Sequence, residues 1–297
     1  HLGIRPLVMG KLGDSIIFAS ETVAFDIVGA EYIRSIEPGE LVVVRDGVVT
    51  SHKPFIQVPA RPCIFEHVYF SRPDSIVEGI SVYSVRKAIG AELARENGVD
   101  VDYVIPVPDS GTPAAIGYAE AAGIPFELGI IRSHYVGRTF IQPGDGVRHL
   151  GVKLKHNANK NLVAGKKIVL IDDSIVRGTT SLKIVQMMRE AGASEVHMRI
   201  ASPPTMNSCF YGVDTPERSK LLASSRDIEE MRAFIQADSL AFISIDGLYR
   251  ALGEDARNNG KPQYCDACFT GDYPTSLTDH EEQEAGDQLI MLNDRKL

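Results

Sequence analysis

Between residues 167 and 181 the chain reads KIVLIDDSIVRGTTS, and these residue types at this spacing suit one kind of ligand. The apolar run Ile168-Val169-Leu170-Ile171 leads into two acids, Asp172-Asp173, and then into Arg177-Gly178-Thr179-Thr180-Ser181. Leu182, Val185 and Met188 follow at spacing three, so the segment reads as strand, turn and helix N-terminus. Such a turn gathers free backbone N–H groups, small hydroxyls and a glycine at the positive end of the helix dipole, where a phosphate monoester is stabilised. The paired acids suit another part of the same ligand: ribose hydroxyls, or a Mg²⁺ that itself carries pyrophosphate. A buried strand whose last Asp caps a helix would use some of the same residues. A P-loop is excluded, because no Gly-x4-Gly-Lys-Ser/Thr occurs.

A second strand end carries a related set. Val104-Ile105-Pro106-Val107-Pro108 runs into Asp109-Ser110-Gly111-Thr112-Pro113. Gly111 permits close backbone approach, and Asp109, Ser110 and Thr112 offer oxygens. The same residues also make a good helix start, with Pro113 at the first helical position. Residues 132–155 form a long stretch with several glycines and the basic residues Arg132, Arg138, Arg148, Lys153 and Lys155. Arg138-Thr139-Phe140 could close over a bound substrate and exclude water. A solvated hairpin with basic edges is the alternative.

These loops need a scaffold, and the chain supplies an alternating one. The pattern predicts a helix over 85–96, a strand over 103–107, a helix over 113–122 and a strand over 126–131. It continues with a strand over 167–172, a helix over 180–190 and a strand over 195–201. Strands alternating with helices indicate an α/β fold with a parallel sheet, whose ligands sit at the carboxyl ends of strands. Residues 1–58 read instead as short strands and turns, with a hairpin at Asp46-Gly47. The proline-bearing stretch 51–62 reads as a linker. The chain has 297 residues, 44% apolar and 24% charged, as in an ordinary soluble protein. A net charge of −8 speaks against nucleic acid as a partner. No apolar run approaches the ~20 residues of a membrane span. The sequence opens on His1-Leu2-Gly3 within a strand pattern, and we expect a fragment of a longer chain.

Residues 169–181 resemble the phosphoribosyltransferase signature. With them, Gly3-Ile4-Arg5-Pro6-Leu7, Ala19-Ser20-Glu21-Thr22, the segment from Cys63 to Phe70, Arg72-Pro73-Asp74-Ser75 and Tyr135-Val136-Gly137-Arg138-Thr139-Phe140 resemble the glutamine phosphoribosylpyrophosphate amidotransferase family, in the family's order. The resemblance implies a type I phosphoribosyltransferase fold, a parallel sheet flanked by helices, over 61–297. Residues 1–60 would be the C-terminal remnant of an N-terminal-nucleophile glutaminase domain. It implies conversion of phosphoribosyl pyrophosphate (PRPP) and glutamine-derived ammonia to 5-phosphoribosylamine and pyrophosphate, the first committed step of purine (IMP) biosynthesis. No Cys precedes Cys63, so this chain is expected to use ammonia only. By resemblance Asp172, Asp173 and Arg138 are catalytic. Asp109 to Thr112 and Arg177 to Ser181 bind PRPP, and Ser110, Asp172 and Asp173 reach Mg²⁺. A cytoplasmic homo-oligomer, dimer or tetramer, under feedback by purine nucleotides would follow. A stand-alone nucleobase phosphoribosyltransferase and a PRPP-binding regulator are the alternatives.

The chain holds four cysteines, Cys63, Cys209, Cys265 and Cys268. Cys265-Asp266-Ala267-Cys268 is a C-x-x-C, which alone could be a redox pair, a metal knuckle or two bystanders. In the iron–sulfur branch of the same family four Cys hold a [4Fe-4S] cluster, and these four resemble its ligands position by position. Four thiolates also suit Zn²⁺. The eight histidines offer no metal-like pair and are expected at the surface or satisfied in the core.

Overall fold

The computed structural model describes residues 1–133 and 156–277. Its centre is a four-stranded parallel sheet in the order β13-β12-β11-β8, formed by Ser239–Phe242, Glu195–Ile200, Lys167–Asp172 and Tyr103–Pro106. The continuous apolar run of β11 follows from burial on both faces. Ile168 and Leu170 point into one core layer, with Ile184, Val185 and Met188 of the helix Thr179–Glu190. Val169 and Ile171 point into the other, with Val85, Ile89 and Leu93 of the helix Val82–Glu96 and Tyr118 of the helix Thr112–Ala122. Each aliphatic side chain so buried contributes about 1.5–3 kcal/mol.

Helix Val82–Glu96 begins where the Ser81 hydroxyl accepts from the Ser84 amide at 3.3 Å. Its buried stripe is Val82, Val85, Arg86, Ile89, Gly90 and Leu93, a helical period with one arginine inside it. It crosses Thr112–Ala122 very closely. A Cβ on Gly90 would lie 1.9 Å from the Ala114 carbonyl, and one on Gly117 1.9 Å from that of Lys87.

Residues 8–52 make small antiparallel sheets. Val8–Leu12 is flanked by Ser15–Ala19 and Glu31–Ser35. Leu41–Arg45 pairs with Val48–His52 through the expected turn, with Asp46 at φ 50° and Gly47 at φ 74°. Arg61 and Cys63 donate backbone bonds to Leu2 and Ile4, so the stretch read as a linker is tied to the first residues of the chain.

Two expectations change. The strand expected over 126–131 does not form as one piece. Phe126 makes a single parallel bridge to Val104, and Ile130–Arg132 pairs antiparallel with His156–Ala158 outside the main sheet. Gly129 separates the two, packed against Ile105. The sheet also gains β13 at its edge, a strand of four residues. Among the described residues no helix is long and apolar enough to cross a membrane.

Candidate functional site

The register of the sheet brings the two strand ends together. Ile171 of β11 lies beside Pro106 of β8, so Asp172-Asp173 and the turn 107–112 leave the same carboxyl edge. The Val107 amide donates to the Ile171 carbonyl at 2.9 Å, and the Gly111 amide to the Val107 carbonyl at 3.0 Å. A Cβ on Gly111 would stand 2.3 Å from the Ile171 carbonyl oxygen, so only glycine lets this turn lie against the strand end.

The acids are nearly enclosed, each 7% exposed. Asp172 Oδ1 accepts from the Asp173 amide at 3.0 Å, and the Ser174 hydroxyl donates to Asp173 Oδ1 at 2.6 Å. Ser110 lies close enough to the Asp173 carboxylate to favour its charged form, and both line one small pocket, so the two expected loops meet there. Burial, then the charge of Asp173, pushes Asp172 well above the usual carboxylate range. Burial raises Asp173 too, against the hydroxyls of Ser110 and Ser174 and the nearby charge of Arg86. Two carboxylates crowded in this way favour a shared proton until a cation arrives.

Asp109 is exposed and ion-pairs with Arg132, a residue noted in the sequence only as one of several bases. Thr112 opens its helix, with its amide donating to the Asp109 carbonyl at 3.2 Å. Downstream, Gly178 takes φ 73° and precedes the helix Thr179–Glu190, whose first turn has no side-chain cap. The first amides of that helix are therefore available to an anion. Arg177, Thr179 and Thr180 are exposed, whereas Ser181 is buried. Arg138 and the rest of 134–155 lie outside the described residues.

The four cysteines also converge, from distant parts of the chain. Cys63 and Cys265 are bridged through their backbones, with the Ile64 amide donating to the Cys265 carbonyl and the Cys265 amide to that of Pro62. The amides of Met206 and Asn207 both donate to the Cys268 carbonyl at 3.0 Å, which draws in the segment bearing Cys209. All four thiols are free. Burial pushes Cys268 well above its ordinary value, and Cys63, Cys209 and Cys265 add to the shift. Burial and then Cys265 raise Cys63 to about 12. Yet among the described residues no group of three or more His, Cys, Asp or Glu could hold a metal ion as placed. A single Zn²⁺ draws its thiolates to about 2.3 Å. A multi-iron cluster is larger and accepts neighbouring thiols that stand further apart. Four cysteine thiols meeting in one buried region are a donor set that either a zinc site or an iron–sulfur cluster takes.

One histidine departs from expectation. His67 is fully buried, yet neither ring nitrogen has a hydrogen-bond partner. Burial and Arg86 push it down to about 4, so it is neutral.

A family model described as "Phosphoribosyl transferase domain" matches residues 82–201. The amidophosphoribosyltransferase of Rhizobium etli is 58% identical over 296 residues, covering 98% of this chain and 60% of the relative. That of Bacillus subtilis is 52% identical over 277 residues, covering 93% of this chain and 58% of the relative. Among solved structures, the glutamine PRPP amidotransferase from B. subtilis complexed with ADP and GMP aligns with a TM-score of 0.85 at 51% identity, covering 93% of this chain and 60% of that one. The chain thus spans about 60% of the length of the curated relatives it matches. Its parallel sheet with helices on both faces is the type I phosphoribosyltransferase fold.

Proposed function

We propose that this chain, which belongs to the amidophosphoribosyltransferase family, transfers the phosphoribosyl group of PRPP to ammonia, giving 5-phosphoribosylamine and pyrophosphate. The observation that carries the reading is the meeting of two loops at one sheet edge: Asp173 and Ser110 line one pocket where β11 and β8 end side by side, near an uncapped helix start at Gly178. Gly178 to Ser181 and Arg177 would take the 5′-phosphate, Asp109 to Thr112 the pyrophosphate, and Asp172-Asp173 the ribose.

Asp172, Asp173 and Ser110 would hold Mg²⁺, which when bound neutralises charge on the departing pyrophosphate. The chain's own residues do the rest. The ribose becomes cationic as the bond to C1 breaks, and the carboxylates of Asp172 and Asp173 stabilise that charge from fixed positions. Both loops hold the ligand's ends, so C1 is presented to the nucleophile in one orientation. No general base is needed if free ammonia attacks. Cys63, Cys209, Cys265 and Cys268 would hold a [4Fe-4S] cluster, which would add to the backbone bonds that already tie 62–64, 206–207 and 265–268 together.

The similarity to a structure complexed with ADP and GMP supports control by purine nucleotides, and the similarity to the enzymes above supports a place in purine biosynthesis. A cytoplasmic homo-oligomer is the assembly we infer. The test is pyrophosphate release from PRPP and Mg²⁺ with ammonium at alkaline pH. Release that depends on ammonia supports the reading. Tight Mg–PRPP binding without release under any nitrogen donor or nucleobase would leave a PRPP-binding regulator, and release with a nucleobase alone would leave a stand-alone transferase.

A further inference from the structure

Arg86 breaks the apolar stripe of its helix. It is 4% exposed and stands between Val85 and Ile89, on the face that packs against the sheet. Taking a guanidinium out of water costs several kcal/mol unless hydrogen bonds and charge replace the solvent. The hydrogen bonds are visible: Nε donates to the His67 carbonyl at 2.8 Å and Nη2 to the Ser71 carbonyl at 2.6 Å. Neutral carbonyls do not cancel a charge, however, and the anions nearby are Asp173, Glu21 and Glu66.

One of those three, Glu66, already has a cation of its own. Glu66 pairs with Arg5 at 2.9 Å and accepts from the Ser71 hydroxyl. Glu21 accepts from the Arg72 amide and the Ser75 hydroxyl, both at 2.7 Å. Asp173, like Glu21, has neutral partners, the hydroxyls of Ser110 and Ser174, and among the described residues no Lys, Arg or His ion-pairs with it; of the two it is Asp173 that lines one pocket with Arg86. Arg86 and Asp173 both line one small pocket, with Ser110 and the apolar Val68, Ile89, Ala114 and Ala201.

We propose that Arg86 is a positioning residue for the PRPP site: its buried guanidinium is the fixed counter-charge behind Asp173, and it ties that carboxylate to the turn 66–71. The apolar walls keep the interaction strong, because little water screens it. Arg86 does not touch the ligand. It sets where the Asp173 carboxylate sits and how firmly, so Mg–PRPP meets a preorganised acid. The two carbonyl bonds work in the other direction: any shift of Asp173 on ligand binding is felt at His67 and Ser71. The inference rests on the reading of Asp172-Asp173 as the PRPP pair.

The experiment compares wild type with Arg86→Met and Arg86→Lys. Folding is checked by circular dichroism and thermal midpoint, the Mg–PRPP dissociation constant by calorimetry, and KM and kcat by ammonia-dependent pyrophosphate release. Asp173 meets both bound Mg–PRPP and the charge that develops on the ribose, so Arg86→Met should raise the dissociation constant for Mg–PRPP at least tenfold and lower kcat/KM by at least the same factor. Arg86→Lys keeps the charge and should recover to within threefold of wild type. A folded Arg86→Met variant with unchanged affinity overturns the proposal, as does a folded Arg86→Lys variant as weak as Arg86→Met. Should neither variant fold, hydrogen exchange on the wild type decides. Saturating Mg–PRPP should slow amide exchange over 66–71, and no change there overturns the link. Wild type that fails to bind Mg–PRPP refutes the PRPP site itself, a result distinct from wild type that binds while the variants bind equally well.

Discussion

Gly111→Ala is the sharpest perturbation of the proposed site, because the added atom meets backbone on one side and nothing that can turn away. The new Cβ would lie 2.3 Å from the Ile171 carbonyl oxygen and 2.9 Å from that of Val107. Ordinary contact begins at 3.4 Å, so the turn and the end of β11 must part by about 1.1 Å (3.4 less 2.3). That separation acts one residue before Asp172 and one after Ser110, on the two sides of the place where the loops meet. Overpacking of this kind costs about 1–3 kcal/mol of stability. A misplacement of about 1 Å costs about a hundredfold in rate where catalysis depends on positioning. Gly123→Ala is the control. It has φ 68° but open space around it, so it should cost about 1 kcal/mol and leave turnover intact. The assay is pyrophosphate release with ammonium, alongside urea unfolding of both variants. Turnover of Gly111→Ala within threefold of wild type would refute the positioning argument, since the contact must then relax without moving the acids.

Asp173→Asn should keep the fold and lower ammonia-dependent turnover about a hundredfold, equivalent to ~2.7 kcal/mol; near-wild-type turnover removes the assigned role. Anaerobically purified protein should be brown, with iron and sulfide near four each by family resemblance, and Cys265→Ser should loosen 205–209 together with 265–268; one zinc in a colourless protein rejects the cluster. Arg257 donates to both oxygens of the fully buried Asp266, at 2.5 and 3.1 Å, so Arg257→Met strands a buried charge and should cost about 3–5 kcal/mol by urea unfolding. The Arg34 guanidinium holds Glu40 down from 4.5 to about 2, so the pair's contribution is full above pH 4.5 and is lost as pH falls to about 2. Screened by solvent it amounts to about 1 kcal/mol, and Arg34→Met should lose that at pH 7 and nothing at pH 2.

What the sequence discloses and what it hides follow from the range of the interactions involved. Strand 167–172, the turn at Gly178 and the helix after it are encoded locally, by an apolar run, a residue able to take positive φ and a helical period. The hairpin at Asp46-Gly47 is equally local. The strand expected over 126–131 fails because its apolar content is shared between two partners, Val104 for one residue and His156–Ala158 for three, with Gly129 turning between them. Arg86 sits at a helical core position, yet a charge in such a pattern reads as a solvated face until the carbonyls of His67 and Ser71 are seen to meet it.

The acid pair shows why the local signal was informative and still incomplete. Asp172-Asp173 alone would suit a cap or a cation. Its meaning comes from a neighbour more than 60 residues earlier in the chain, Ser110, brought to the same pocket by the parallel register of β11 on β8. The turn that bears Ser110 can lie against the end of β11 only because residue 111 is glycine, since a side chain there would hold the two apart. The same logic applies at the cysteines. Spacing could relate Cys265 to Cys268, but only the backbone bridge from Cys63 and the bonds from 206–207 to Cys268 bring the four thiols together. The segment 201–209 begins at the edge that carries the acids, where the Ala201 amide donates to the Asp172 carbonyl at 2.8 Å, and ends at Cys209. The thiol cluster and the proposed PRPP site are therefore two ends of one short strap, and the order of either end bears on the other.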